Sequence, residues 1–473
     1  MRKIIVSLLF LLPLPLAADG LPDLGDVSQT AVSPLMERQI GEQSMLQIRA
    51  SDRYLDDTEL VDYLNRLGQR LVANSSEPGQ PFEFFVMDDP AINAFALPGG
   101  FIGVNTGLIL LAQSESELAS VLSHEISHVT QHHLARMVSG QKYDSLAAMA
   151  TIAVAILAAR NSPQAAQAGI IGAQSGLIQR QLDFTREHEQ EADRIGLGIL
   201  QRSGFDAHAM PAFFERLQKA TQLIEGNAPS YLRTHPLTTE RVADVGNRVQ
   251  QIPFRLVADS LDFQLIRARI VAAQKSPQEA IDYFRSALGD KKYGNPLAQR
   301  YGLVLALLRA RQNARAAQEF ATLYRAAPPN VMLTVLAGNI KQAEGEDRKI
   351  LDFYRDALKQ YPNHRALVLD YVTALLNQHH YAEALQMLDG EVERDNNNAK
   401  LYELQARAYT ALGRHQEAHH VLAYFQILHG NLRGAIEQLE LAKLAGNDYY
   451  QLSTIETELK QYREIMDAQR KRR

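Results

Sequence analysis

A spacing of 34 residues runs through the second half of this 473-residue chain and limits what that half can become. Pro328 and Pro362 stand 34 apart, and the same step reaches Asn396, just after Asp395. Eight positions before these marks lie Phe320, Tyr354 and Leu388; small residues recur four positions earlier still, at Ala316 and Ala384, with Ile350 as the exception. In the next unit Tyr402, Ala406, Tyr409, Gly413 and Ala418 follow in the order of a tetratricopeptide repeat. A period of roughly 34 residues, with small residues where two helices touch and a large one above them, belongs to a solenoid of helix pairs. One pair cannot bury its own apolar face, so the pairs must stack. Weaker units near "SPQEAIDYFRSAL" and "GNLRGAIEQLELA" extend the array, and a repeat domain is expected over residues 260–473. Its His364, His379, His380, His415, His419 and His420 are scattered at turns and helix ends and read as surface residues.

The first 255 residues are organised differently. "MRKIIVSLLFLLPLPLAADG" has two cations, a short apolar run broken by prolines, and small residues before Asp19, the three parts of a secretory signal peptide expected over 1–18. No cysteine follows, which excludes both a lipid anchor on cysteine and any disulfide. The expected compartment is therefore the periplasm, with the protein held by its core and by any metal it binds. A net charge of -5 gives no sign of a nucleic-acid partner. The spacing of apolar residues predicts helices from about Ser33 to Asn74, a strand at "PFEFFVMDD", a glycine-turned strand pair at "NAFALPGGFIGVNTGLI", and a helix from Glu115 to Met137. Ser114 is a fair N-cap for that helix, with Glu117 completing a capping box. "SLAAMATIAVAILAA", residues 145–159, falls short of the roughly twenty residues a bilayer span needs. It predicts a buried helix, or a lid or membrane-touching insertion within 145–180. The polar stretch from Ile252 to Ser260 marks the junction with the repeats.

Chemistry enters with "VLSHEISHVTQHH", residues 121–133. On a helix, residues four apart differ by roughly 40° around the axis, so His124 and His128 can aim at one ion at about 2.1 Å. Glu125, turned by about 100°, misses the ion but reaches a water beside it, the geometry of a general base in metal-assisted hydrolysis. His132 continues the same face and reads as a cap or surface residue. A third ligand must come from elsewhere, and "EHEQEADRIG" offers Glu187, Glu189, Glu191 and Asp193. Glu189 and Asp193 share one face and Glu187 and Glu191 another; spacing alone does not choose between the pairs. "RTHPLTTERVAD" adds His235 and Arg241.

"HEISH" followed about 60 residues later by "EHEQEAD", with "NAFALPGGFIGVNTGL" upstream, resembles the zinc peptidases that include HtpX and the type I CAAX prenyl endopeptidases. The resemblance spans roughly residues 33–250. It implies one zinc ion per chain held by His124, His128 and Glu189, with Glu125 as the base and Asp193 supporting a ligand histidine. It also implies a place near the site for His235 and Arg241, where two roles compete. Either residue could stabilise an oxyanion, or His235 could fill the fourth zinc position and hold the enzyme off. The fold expected is mainly α: an α+β zincin-like metallopeptidase domain with a small sheet over 19–255, then the α-solenoid. "FIGVNTGL" is expected to offer an exposed edge strand to an extended peptide. Similarity to periplasmic family members with appended repeats implies an endopeptidase for misassembled or stalled envelope proteins. The partners it implies are outer-membrane β-barrel proteins and their assembly machinery. The alternative is a periplasmic chaperone or scaffold whose zinc is mainly structural.

Overall fold

The computed structural model describes residues 33–139, 175–223, 229–291, 294–345 and 347–472. The expected signal peptide and the apolar run 145–159 lie outside the described residues. Among the described residues no helix is long and apolar enough to cross a membrane.

Two amphipathic helices open the structure. The hydroxyl of Ser33 caps α1 (Pro34–Arg49) and the carboxylate of Asp57 caps α2 (Thr58–Val72), each accepting a free N–H of the first turn. Strands β1 (Glu83–Met87), β2 (Ala94–Leu97) and β3 (Phe101–Asn105) form one sheet in the order β1-β3-β2, β3 running parallel to β1 and antiparallel to β2. Gly99 and Gly100 make the β2–β3 turn with φ of 76° and 86°, a backbone that side chains resist, so their part is conformational. The edge expected of "FIGVNTGL" is corrected here. Phe101–Asn105 is the central strand and fully buried, the next residues begin a helix, and β2 is the edge. The reason is that β1 pairs with β3 along its whole length, Glu83 to Met87 beside Phe101 to Asn105, while α2 bonds the outer edge of β1. The Asn65 side chain both donates to Phe84 C=O and accepts from Phe84 N–H, at 2.7 and 3.0 Å, and Gln69 donates to Phe82 C=O at 2.9 Å.

Helices α3 (Thr106–Leu111), α4 (Glu115–Thr130), α5 (His133–Ser139), α6 (Ser175–Arg202), α7 (Ala209–Leu223), α8 (Ser230–Thr234) and α9 (Thr239–Gln250) complete this part. Ser114 caps α4 as expected, accepting from Glu117 N–H at 3.1 Å. The capping box stays open, because the Glu117 carboxylate bonds Gln113 N–H and Arg216 instead. The single helix expected from Glu115 to Met137 is broken: His132 adopts φ of 49°, and α5 restarts at His133 on a new axis.

Among the described residues the chain from Leu261 forms six helix pairs, their first helices starting at Leu261, Pro296, Val331, Arg365, Ala399 and Leu432. Ala316, Tyr354, Ala384 and Leu388, the repeat positions read from the sequence, are all fully buried. Two of the repeat histidines are less peripheral than expected. His419 bonds Gln438, and His420 bonds Glu458 at 2.8 Å, tying the last helices together. The segment 253–260 has no regular structure, yet one hydrophobic cluster runs from Leu60 in α2 through α4 to Ile340 in the repeats. The two parts therefore share a core.

Charged contacts line this docking. Arg66 pairs with Asp262, and Arg365 with Asp62 and Asp395. Arg269 carries the densest load: it bonds Asp57 at 2.7 Å and Glu59 at 2.6 Å, and its charge also reaches Asp370. One guanidinium cannot neutralise three carboxylates. Burial, opposed by Arg269, pushes both Glu59 and Asp370 up to about 7. An acid whose folded value is raised stabilises the fold fully below its unfolded value near 4.5, and that contribution is lost as pH climbs through about 7. Urea unfolding is thus expected to show a loss of about 1–3 kcal/mol between pH 5 and pH 8. Glu59→Gln should flatten the profile; an unchanged slope in that variant would remove Glu59 from the explanation.

Candidate active site

Three elements meet at the centre of the first domain. Helix α4 presents His124, Glu125 and His128 on its inner side, α6 presents Glu189 and Asp193, and the turn between α8 and α9 presents His235. Helices α4 and α6 come close at Gly196, where a Cβ would stand 3.1 Å from the backbone nitrogen of His124. Glycine there lets the two helix backbones touch, which brings Glu189, two turns earlier, up to the histidines.

One donor atom from each of His124, His128, Glu189 and His235 lies within 4.8 Å of the others. The His124 and His128 Nε2 atoms are 3.0 Å apart, each is 3.4 Å from a Glu189 carboxylate oxygen, and His235 Nδ1 is 3.4 Å from His124 Nε2. Four donors placed tetrahedrally at about 2.1 Å from a cation are separated by about 3.4 Å. The cluster therefore has the dimensions of a tetrahedral divalent-cation site, and its imidazole and carboxylate donors suit such an ion. His128 and Glu189, with Phe95, Leu97, Leu134 and Met137, line a cavity of about 300 Å³ into which β2 also faces.

Charge is arranged to hold these groups. Burial opposes the ionised form of Glu189, but His235, His124 and His128 outweigh it and keep the carboxyl well below its usual range. Burial likewise disfavours a charged His124, yet Asp193 and Glu189 push it up to about 10. Asp193 Oδ1 stands 3.0 Å from His124 Nδ1, the ring nitrogen turned away from the cluster. Behind it, Arg241 donates from Nε and Nη2 to both oxygens of Asp193 and from Nη1 to Pro236 C=O; Nη1 also lies 2.8 Å from Glu189. With all three nitrogens engaged, this guanidinium is a buried clamp on the carboxylates. Glu125 is fully buried, and among the described residues neither of its oxygens has a hydrogen-bond partner; the nearest polar ring atom is His235 Nε2 at 3.5 Å.

The α6 carboxylates that spacing left open separate cleanly. Glu189 faces the histidines, Asp193 backs His124, Glu187 is exposed, and Glu191 contacts His133 and Arg136. His132 turns away to Glu77 at 3.2 Å. Spacing assigned no role to His133, and His188 and Tyr231 carried no mark at all. His133 contacts His128 and stacks on His188, while buried Tyr231 sits 4.8 Å, ring to ring, from His235. The run of histidines after the motif was the available signal for His133; nothing local marked Tyr231.

Comparison with known proteins agrees with both halves. The model of Peptidase family M48 matches residues 60–249, and one of the tetratricopeptide repeat matches residues 335–408. The beta-barrel assembly-enhancing protease of Escherichia coli (strain K12) is 34% identical over 429 residues, covering 90% of this chain and 87% of that protein. The protein of that name in Yersinia pestis is 33% identical over 423 residues, covering 89% and 86%. Mitochondrial metalloendopeptidase OMA1 of Arabidopsis thaliana is 30% identical over 221 residues, 46% of this chain and 42% of that protein.

Proposed function

This chain belongs to peptidase family M48, in the group that joins the peptidase to tetratricopeptide repeats, and on that premise we propose that it is a periplasmic zinc endopeptidase of outer-membrane protein assembly. It is a metalloendopeptidase, and its relatives' role in β-barrel assembly extends to it. Within the finer reading, the periplasm rests on the expected signal peptide and stalled β-barrel proteins as substrates on the relatives' name, while zinc as the ion is supported above all by one observation. Two imidazoles and a carboxylate converge at tetrahedral spacing beside a buried Glu125 that has no hydrogen-bond partner among the described residues.

The residues imply a division of labour. His124, His128 and Glu189 would hold the ion, which when bound polarises a peptide carbonyl and acidifies water. An extended peptide adds to the β2 edge, pairing backbone with backbone, and the apolar cavity takes a side chain next to the scissile bond. Strands of outer-membrane barrels alternate apolar and polar residues and suit both features. Glu125 takes a proton from the attacking water and delivers it to the leaving amine. Asp193 fixes the tautomer of His124, and Arg241 holds Asp193.

His235 gives the second reading its footing. With it the donors number four, and closed four-ligand sites are structural whereas catalytic sites keep a position open. We infer that His235 occupies the open position at rest and leaves it when substrate binds. Arg241, locked onto two carboxylates, is poorly placed to serve an oxyanion. The test is cleavage of an unfolded outer-membrane barrel protein by zinc-loaded full-length chain, with and without His235→Ala. If the closed form holds roughly nine-tenths of the molecules, the variant gains roughly tenfold in rate. No cleavage by either protein, with zinc bound, would favour the chaperone reading; a slower variant would return His235 to oxyanion stabilisation.

A further inference from the structure

A histidine that binds a cation through Nε2 must carry its proton on Nδ1, and something must accept that proton to hold the ring. For His124 the group at that nitrogen is the Asp193 carboxylate, 3.0 Å away. His128 has no carboxylate behind it: its Nδ1 lies 2.9 Å from Nδ1 of His133. An imidazole facing an imidazole fixes nothing by itself, because either nitrogen can carry the hydrogen. The other end of His133 removes the ambiguity. His133 Nε2 lies 3.1 Å from Glu191 Oε2, which only accepts and is held in turn by Arg136 Nη1 at 2.9 Å. His133 therefore donates from Nε2, its Nδ1 keeps a lone pair, and His128 must donate from Nδ1, leaving the His128 Nε2 lone pair facing the cluster. The His133 ring is 3% exposed and lies flat on His188, the rings 4.2 Å apart and 5° from parallel, so its plane is fixed as well.

From this chain we propose that His133, backed by Glu191, is a positioning residue that sets the tautomer and orientation of His128 for metal binding. The inference rests on the metal-site reading above. The break at His132 is what makes it possible. An unbroken α4 would carry His133 past His128 on another face, whereas the restart at α5 folds its ring back onto the ligand.

The test measures zinc affinity of the full-length protein by competition with a chromophoric chelator, together with the visible spectrum of the cobalt-substituted protein. His133→Phe keeps a flat ring over His188 and deletes the acceptor; it is expected to weaken zinc binding by about 10- to 100-fold and to alter the cobalt bands. His133→Asn places a carbonyl oxygen where Nδ1 stood and should restore affinity to within about threefold, and the bands with it. Glu191→Ala, at a partly exposed position, should cost less, about three- to tenfold, since water can replace the carboxylate. Wild-type affinity in His133→Phe overturns the proposal, and so does an asparagine variant as weak as the phenylalanine one, which would mean that packing alone was lost. A wild-type chain that binds no zinc would instead bring down the metal-site reading itself.

Discussion

Exchange of Glu125 for glutamine is expected to cut peptide cleavage about 1,000-fold or more while leaving zinc affinity within about threefold, the upper part of the range for losing one acid–base group. The size follows from the double use of one carboxyl, which takes the proton from water and later gives it to the amine. Both oxygens of Glu125 are buried without a hydrogen-bond partner among the described residues, so no neighbour stands ready to substitute. The side chain is not one of the four clustered donors, and glutamine matches its shape, so the fold and the ligands should persist. Steady-state cleavage, zinc content and a thermal melt on the same preparation separate the outcomes. Cleavage within tenfold of wild type would remove Glu125 as the base; loss of zinc would mean that it helps to hold the ion.

Arg241→Met is expected to cost about 3–5 kcal/mol of stability in the metal-stripped protein, the range for stranding a buried charge. The guanidinium is 2% exposed and faces two buried carboxylates at once, bonding Asp193 through Nε and Nη2 at 2.7 and 2.8 Å and forming an ion pair through Nη1 with Glu189 at 2.8 Å. Methionine fills the space and offers no donor. Glu189 is kept below its usual range by His235, His124 and His128 rather than by Arg241, so it stays charged in the variant, while Asp193 loses Arg241, the first of the groups that outweigh its burial. Bound zinc neutralises Glu189 by another route, and the cost should shrink in the loaded protein. Urea unfolding with and without zinc reads this difference directly. A variant that loses less than about 1 kcal/mol in both states would show that water or a shifted side chain replaces the clamp.

The two halves of this molecule were legible to different depths. Helical period and repeat length are written locally, each residue's place depending on neighbours three, four or 34 positions away. The sequence alone therefore specified the solenoid, the helix bearing His124 and His128, and the shared face of Glu189 and Asp193. The same kind of reasoning misjudged β3, because whether a strand lies at a sheet's edge depends on which separate strand pairs with it, here β1. It could not choose between Glu189 and Glu191, nor see that His133 rather than His132 backs the site.

Those choices are made by distances between elements far apart in the chain. Gly196 lets α6 lie against α4, and that contact, not any local period, carries Glu189 to the histidines. A positive φ at His132 redirects the chain so that the His132 ring leaves the site and the His133 ring returns to it. Sequence spacing determined which side chains could share a face; packing in three dimensions determined which faces meet, because the close approach of helices is set by the volumes and backbone turns where they touch.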